Sequence, residues 1–209
     1  MTIVWHFQRA PWPIVLMAAV LGMTGCASSE PRYFTLARSV ESDAVSQCRR
    51  DSSMPPLRID VQPIRVPERL NRANMLVRTG DAVHILENDR WSAPFPDEFR
   101  DALSERLQNS LGAVDRQGSG HANSQEHYRM SVDIVQVDAD PDMPLGAVVN
   151  WRIRSVPDGR VHSGQSRVVL PAAGSVRGLV RAYQRVVVAV ADDLCTAVST
   201  VQSSRVAER

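Results

Sequence analysis

The sequence of 209 residues contains no lysine, so all 24 of its basic residues are arginine. The absence of lysine excludes Schiff-base chemistry, a Walker-type phosphate loop and the Ser-x-x-Lys acylation motif, because each of these needs a lysine amine. Aromatic residues are also scarce, at 5% of the chain. Such a low share argues against direct carriage of a lipid, which would need a large apolar cavity.

An excess of either charge is also missing, since the formal net charge is +1. Removal of an N-terminal segment that includes Arg9 would leave 23 basic and 23 acidic residues. A neutral chain of this kind predicts no binding to nucleic acid and no polybasic membrane patch.

An apolar run at residues 14–21 follows Arg9 and is followed by small residues and then Cys26. A positive start, an apolar centre and a small-residue cleavage site are typical of a secretory signal. The run is shorter than the roughly 20 apolar residues of a membrane-spanning helix. Because the segment ends in a cysteine, we predict a lipoprotein signal peptide, cleaved between Gly25 and Cys26, with a lipid on Cys26. The alternative is an ordinary secretory signal in which Cys26 is incidental.

The predicted lipid determines where the chain would work. Several acyl chains on Cys26 would hold it permanently on a membrane. Ala27 follows the cysteine, whereas aspartate is the usual inner-membrane retention signal, so we predict an outer-membrane anchor facing the periplasm of a Gram-negative envelope. The predicted organisation is a signal peptide at 1–25, a lipidated leader at 26–32, one periplasmic domain at 33–203 and a disordered tail at 204–209.

Cys48 and Cys195 are the other cysteines of the chain. An oxidising compartment would permit them to pair. Such a disulfide would close a loop of about 150 residues and contribute up to about 5 kcal/mol on the chain-entropy model. The alternative of two separate thiols, one in a loop and one buried, stays open.

Apolar periodicity predicts the secondary structure. Alternating residues predict strands at 33–36, 57–61, 75–78, 83–86, 128–134, 148–156 and 160–170. The alternation also permits the strand at 57–61 to continue past Pro63 through residues 64–66. Apolar residues every three or four positions predict helices at 95–111 and 175–199. This order predicts an α+β domain, in which two amphipathic helices pack on one face of a mainly antiparallel or mixed sheet.

No group of residues in the sequence is a strong candidate for metal binding or catalysis. Asp138, Asp140 and Asp142 alternate as calcium ligands do, but Met143 and Val149 stand where an EF-hand loop needs glycine and glutamate. We therefore interpret this segment as a solvated loop. The histidines have no zinc-ligand spacing, and no Gly-x-Ser-x-Gly motif occurs. We predict no metal site, no catalytic residue and no enzymatic activity.

A family resemblance lies mainly in residues 31–112. The residues that carry it are Pro67, Leu70, Arg72, Arg78, Trp91 and Pro94, together with Gly25-Cys26 and the segment 32–36. This pattern resembles the PqiC/YmbA lipoproteins, which are auxiliary lipoproteins of ABC-type and MCE-type envelope transport systems. The chain departs from the family at Ala73, where proline is common, and at Asn74, where glutamine is common.

The resemblance implies a lipoprotein that docks on or caps an MCE-domain protein and its inner-membrane permease, in a system that moves phospholipid between membranes. It implies no cofactor beyond the covalent lipid on Cys26, and it is compatible with a homo-oligomer. Arg72, Arg78 and Trp91 are the candidate partner contacts. Alternatively, Leu70 and Trp91 fill the core and the two arginines make structural hydrogen bonds. The alternative function is that of a structural or assembly lipoprotein of the outer membrane.

Overall fold

The computed structural model describes residues 29–37, 56–116, 127–156 and 158–207. The chain divides into two compact units, Met1–Glu30 and Pro31–Arg209. The helices and strands of the described residues all lie in the second unit.

Eight strands, two α-helices and one short 3-10 helix form within the described ranges. Their order is β1 (Arg32–Phe34), β2 (Leu57–Val61), the 3-10 helix (Glu68–Leu70), β3 (Asn74–Thr79), β4 (Ala82–Trp91), α1 (Phe95–Leu111), β5 (Ala113–Asp115), β6 (His127–Asp138), β7 (Leu145–Val156), β8 (Val161–Leu170) and α2 (Val176–Ala207).

The strands form two mixed sheets. The larger sheet has the order β5-β2-β6-β7-β8, in which β2 is parallel to both β5 and β6 and the other pairs are antiparallel. The smaller sheet has the order β1-β4-β3, in which β1 is parallel to β4 and β3 and β4 form an antiparallel hairpin. The predicted α+β class and mixed pairing are confirmed, although the strands divide between two sheets.

The helix α1 has the bounds that its sequence predicts. Its apolar stripe runs from Phe95 to Leu111 in steps of four residues, and every member of the stripe is buried. Asp97 and Glu98 lie in the first turn, where carboxylates interact favourably with the helix dipole. Gly112 ends the helix with a φ of 57°, a left-handed conformation that costs glycine little.

Both helices cover one face of the larger sheet. The odd-numbered residues of β7 from Leu145 to Ser155 are buried, whereas Asn150, Arg152 and Arg154 between them are exposed. The helix α2 packs on β7, β8 and α1, and α1 also packs on β2 and β5. The opposite face of this sheet, called here the open sheet face, is therefore left without a helix among the described residues.

A buried ion pair joins α1 to the larger sheet. The Arg100 guanidinium donates to the Asp115 carboxylate at 2.9 Å and to the Val61 carbonyl at 3.2 Å. Ser104 donates to the same carboxylate at 2.6 Å. Since both charged side chains are more than nine-tenths buried, their hydrogen bonds offset the cost of removing them from water.

The structure differs from the predicted elements at several ends. The three-residue strand β5 was not predicted, and β4, β6 and β7 are longer than expected. The predicted continuation of β2 past Pro63 is limited to one bridge between Arg65 and Asp133. The helix α2 continues through Ala207 and so enters the segment 204–209 that the sequence predicted to be a tail.

Candidate functional site

Trp91 lies in the core and not on the surface. Its side chain is 3% exposed, and its ring centroid lies 5.3 Å from that of Tyr183 and 5.8 Å from that of Phe95. This cluster joins the end of β4 to α1 and α2. Trp91 therefore has the core-filling role that the sequence analysis kept as an alternative to partner contact.

Arg72 and Arg78 are both exposed. The Arg72 backbone carbonyl accepts a hydrogen bond from Phe95 N at 3.0 Å, which places this residue beside the start of α1. Its guanidinium has no partner among the described residues. Arg78 donates to the Gly80 carbonyl at 2.9 Å and to the Asp138 carboxylate at 3.0 Å. The structure thus gives Arg78 a structural contact and leaves Arg72 available.

One face of the β3–β4 hairpin carries the exposed apolar side chains of Val83 and Ile85, together with Arg78 and the half-buried Leu76. Arg78 pairs with Val83, and Leu76 pairs with Ile85, and residues directly opposite each other in an antiparallel pair point to the same side. Val83 is 52% exposed and Ile85 is 44% exposed. These four residues, together with Arg72, which precedes β3 by two positions in the sequence, are called the hairpin surface.

Val83 and Ile85 were not predicted from the sequence to be surface residues. Both were assigned to a hairpin strand without a statement about which side they occupy. The sequence feature that would have shown their position is the two-residue turn Gly80-Asp81. This tight turn fixes the register of the two strands and places Val83 opposite Arg78. With Arg78 on the exposed side, the alternation of the strand places Val83 and Ile85 there too.

A pocket of about 270 Å³ lies beside the hairpin surface. Its lining includes Arg69, Leu76, Arg78, Val83, Asp138 and Tyr183. Burial raises the pKa of the Tyr183 hydroxyl well above its ordinary value, the nearby charge of Arg69 lowers it and that of Asp138 raises it further. The hydroxyl is therefore neutral at physiological pH, and it has no hydrogen-bond partner among the described residues.

A larger groove of about 890 Å³ lies on the open sheet face. Polar side chains of β6, β7 and β8 line it, including Ser131, Asn150, Arg152 and Gln165. At its edge Arg65 binds Asp133 through two hydrogen bonds, one of them 2.8 Å long. Pro63, Val132 and Trp151 lie among these polar residues, so the groove is an open surface of mixed character and not an enclosed apolar cavity of the kind that would carry a lipid.

Metal and catalytic groups do not converge in the part of the chain that the structure describes. No group of three or more histidine, cysteine, aspartate or glutamate side chains there is placed to hold a metal ion. Of the three alternating aspartates, Asp138 accepts from Arg78 and Gln136. Asp140 accepts from the Asp142 backbone N–H at 2.9 Å, which is a local turn contact.

Of the three cysteines, Cys195 alone lies in the part of the chain that the structure describes. Gly25, Cys26 and Cys48 lie outside them, so the lipidation site stays a prediction. Cys195 is buried on α2 and is disulfide-bonded. Its pairing with Cys48 stays a prediction. Among the described residues, neither helix combines the length and the apolar character needed to cross a membrane.

Comparisons with known proteins identify relatives of the chain. The family model described as "ABC-type transport auxiliary lipoprotein component" matches residues 39–195. No curated protein matches the chain. A crystal structure of an uncharacterized protein has a TM-score of 0.62 at 14% identity, covering 81% of this chain and 99% of that one. Protein XCC0632 from Xanthomonas campestris, of the family DUF330, has a TM-score of 0.56 at 17% identity, covering 76% and 95%. At such identities these two structures support the fold alone.

Proposed function

Because the chain belongs to the family of ABC-type transport auxiliary lipoprotein components, we propose that it is anchored to the outer membrane and docks an MCE-type lipid transport system. In this proposal Cys26 carries the lipid and the folded domain faces the periplasm. The partner is the MCE-domain protein, which connects the lipoprotein to its inner-membrane permease. The role is binding and not catalysis.

The hairpin surface is the observation that carries the docking proposal. It combines exposed apolar side chains with the arginines at positions 72 and 78, and interfaces are enriched in apolar groups and arginine at their centres. Arg72 has no ion-pair partner among the described residues, so its charge is available to a partner carboxylate. Val83 and Ile85 would lose their exposed apolar area to the partner, a favourable change of about 25 cal/mol per Å².

The test of docking compares two variants of the full-length lipoprotein in native membranes. Arg72→Glu combined with Ile85→Asp reverses one charge and introduces another within the hairpin surface. The matched control is Arg154→Glu, an exposed residue of the open sheet face. After crosslinking and affinity purification, we expect the first variant to recover about tenfold less MCE-domain protein than the wild type, because truncating central contacts has effects of this size. The control should recover as much as the wild type.

The test of anchoring is Cys26→Ala. Without the acyl chains this variant should leave the outer-membrane fraction, while wild type stays there. The alternative function predicts a different purification result: wild type would recover only components of outer-membrane assembly. That outcome would contradict the transport proposal and favour a structural role.

A further inference from the structure

Three arginines form a row on the first half of α2. Arg177, Arg181 and Arg185 are spaced four residues apart, so they lie along nearly one side of the helix. All three are exposed, and none has a hydrogen-bond or ion-pair partner among the described residues. These three residues are called the arginine row.

The arginine row opposes the stability of its own helix. Like charges four residues apart repel each other. Cations near a helix N-terminus also interact unfavourably with the helix dipole, and the first turn of α2 contains no acidic residue. Helix formation therefore does not explain the row, and its three exposed charges are accessible to an anionic ligand.

The arginine row lies close to the start of the folded domain. The side-chain amide of Gln184, next to Arg185, donates to the Thr35 carbonyl at 3.5 Å. Thr35 and Leu36 are held in turn by the Glu98 carboxylate, with donor-to-oxygen distances of 2.8 Å. A chain rises at most about 3.5 Å per residue, so the nine residues from Cys26 to Thr35 span at most about 30 Å.

We propose that the arginine row binds the phosphate groups of anionic lipids in the membrane that carries the Cys26 anchor. This inference rests on the proposed lipid anchor. A guanidinium forms paired hydrogen bonds with phosphate oxygens, and a lipid anchor keeps the domain at high effective concentration beside the headgroups. The row thereby orients the domain, which keeps the first half of α2 towards the membrane.

The neutral composition of the chain concealed this feature. Net charge led to the prediction of no polybasic membrane patch, but a charge balance summed over the chain does not show how charges are distributed. The four-residue spacing is visible in the sequence, since Arg177, Arg181 and Arg185 all precede the acidic pair Asp192-Asp193 of the same helix. Over residues 176–193 of α2 the positive charges therefore come first and the negative charges follow.

Energy transfer from tryptophan to dansyl-labelled lipid tests the proposal on the intact, lipidated protein. Trp91 is a suitable donor because its ring contacts Tyr183 of α2, and Trp151→Phe removes the other tryptophan of the domain. Vesicles contain phosphatidylcholine alone or phosphatidylcholine with phosphatidylglycerol. Transfer should be higher on the anionic vesicles, and about 1 M salt should abolish the difference because it shortens the Debye length to about 3 Å.

Two pairs of substitutions provide the comparison. Arg181→Gln with Arg185→Gln should shift the ratio of membrane-docked to undocked domains by roughly 30-fold, since each arginine near an anionic surface contributes about fivefold. Arg58→Gln with Arg154→Gln changes two exposed arginines of the open sheet face and should leave the transfer unchanged. Both pairs are also measured in the protein that retains Trp151, so a folding defect of Trp151→Phe does not remove the test.

Three results would overturn the proposal. Equal transfer on the two kinds of vesicle would show that α2 does not bind anionic lipid. Equal effects of the two pairs would assign the attraction to general charge. Unchanged transfer in the Arg181 and Arg185 variant, with loss of a co-purified protein, would assign the row to a protein partner. Failure of the anchor is distinguishable, because a protein without its lipid would not float with vesicles of phosphatidylcholine alone.

Discussion

Tyr183 packs edge-on against Trp91, with 5.3 Å between the ring centroids and 84° between the ring planes. Phe95 completes the contact, with its ring centroid 5.4 Å from that of Tyr183. These three residues come from β4, α1 and α2, so the small sheet and both helices meet at one aromatic cluster. Edge-to-face pairs of this kind contribute about 0.5–1.5 kcal/mol beyond the area they bury.

The Tyr183 hydroxyl makes stability depend on alkaline pH. Its pKa in the folded chain is raised above the ordinary value near 10, chiefly by burial. Below pH 10 the folded and unfolded chains both keep the proton, so the ionisation of Tyr183 does not lower the free energy of unfolding. Above pH 10 the unfolded chain releases a proton that the folded chain retains, so the free energy of unfolding should fall by about 1.4 kcal/mol per pH unit.

Urea unfolding between pH 8.5 and 11 measures this slope. Tyr183→Phe should remove this contribution to the slope, and it should change stability at pH 7.5 by less than about 1 kcal/mol because the hydroxyl has no partner among the described residues. The same pH slope in wild type and variant would show that Tyr183 ionises normally in the folded protein.

Glu98 connects the N-terminal segment to α1. Its buried carboxylate accepts hydrogen bonds from the Thr35 hydroxyl, the Leu36 backbone N–H and the Ser92 hydroxyl. Glu98→Ala leaves these donors without their acceptor, so we expect a loss of about 3 kcal/mol in the free energy of unfolding. Asp101→Ala changes an exposed carboxylate on the same helix and should cost less than about 1 kcal/mol. Equal costs in chemical denaturation would contradict the structural role of Glu98.

Gly164 is needed because the Trp151 ring lies over it. A Cβ at Gly164 would come within 2.3 Å of Trp151 Cζ2, so Gly164→Ala must displace the ring and its hydrogen bond to Ser166. We expect a loss of about 1–3 kcal/mol. Gly146→Ala is the control, since a Cβ there meets no atom within 4 Å. That variant should be neutral or stabilise slightly, and thermal unfolding distinguishes the two.

Cys195 is disulfide-bonded, and we predict Cys48 as its partner. Cys48→Ser and Cys195→Ser should each lower stability by about 2–4 kcal/mol, and the double variant should lose no more than either single one. Mass spectrometry of peptides from the non-reduced protein identifies the pair directly. Recovery of Cys48 as a free thiol from the wild-type protein would refute the pairing.

The helix α1 was predictable from local sequence because its pattern is complete. Phe95, Phe99, Leu103 and Leu107 repeat every four residues, and Gly112 supplies the left-handed end. The bounds at 95 and 111 agree with the structure for this reason. The strand Leu57–Val61 was predictable in the same way, since its strict alternation corresponds to one buried and one exposed side.

The division into two sheets was not predictable from local patterns. The strand β1 pairs in parallel with β4 across 57 residues of sequence, as in the pair Arg32 and Asp89. Periodicity indicates that a segment is a strand but does not indicate which other strand it pairs with in a sheet. The strand β5 has only three residues and directly follows a helix, so it has no room for a recognisable alternation.

The candidate site was predicted only in part. Arg72, Arg78 and Trp91 were equal candidates for partner contact on the basis of the motif. Sequence alone does not separate a buried tryptophan from an exposed one. The structure places Trp91 in the core and both arginines outside it. The exposed apolar residues Val83 and Ile85 become apparent only once the hairpin register is known.

Photo-crosslinking in the living cell envelope tests the docking proposal most directly. A photoreactive amino acid replaces Ile85 of the hairpin surface in one strain and Val169, an exposed residue of β8, in another. We expect position 85 to crosslink to an MCE-domain protein and position 169 to give no such product. Crosslinks from position 85 only to outer-membrane assembly components, or equal crosslinking from both positions, would contradict the proposed docking surface.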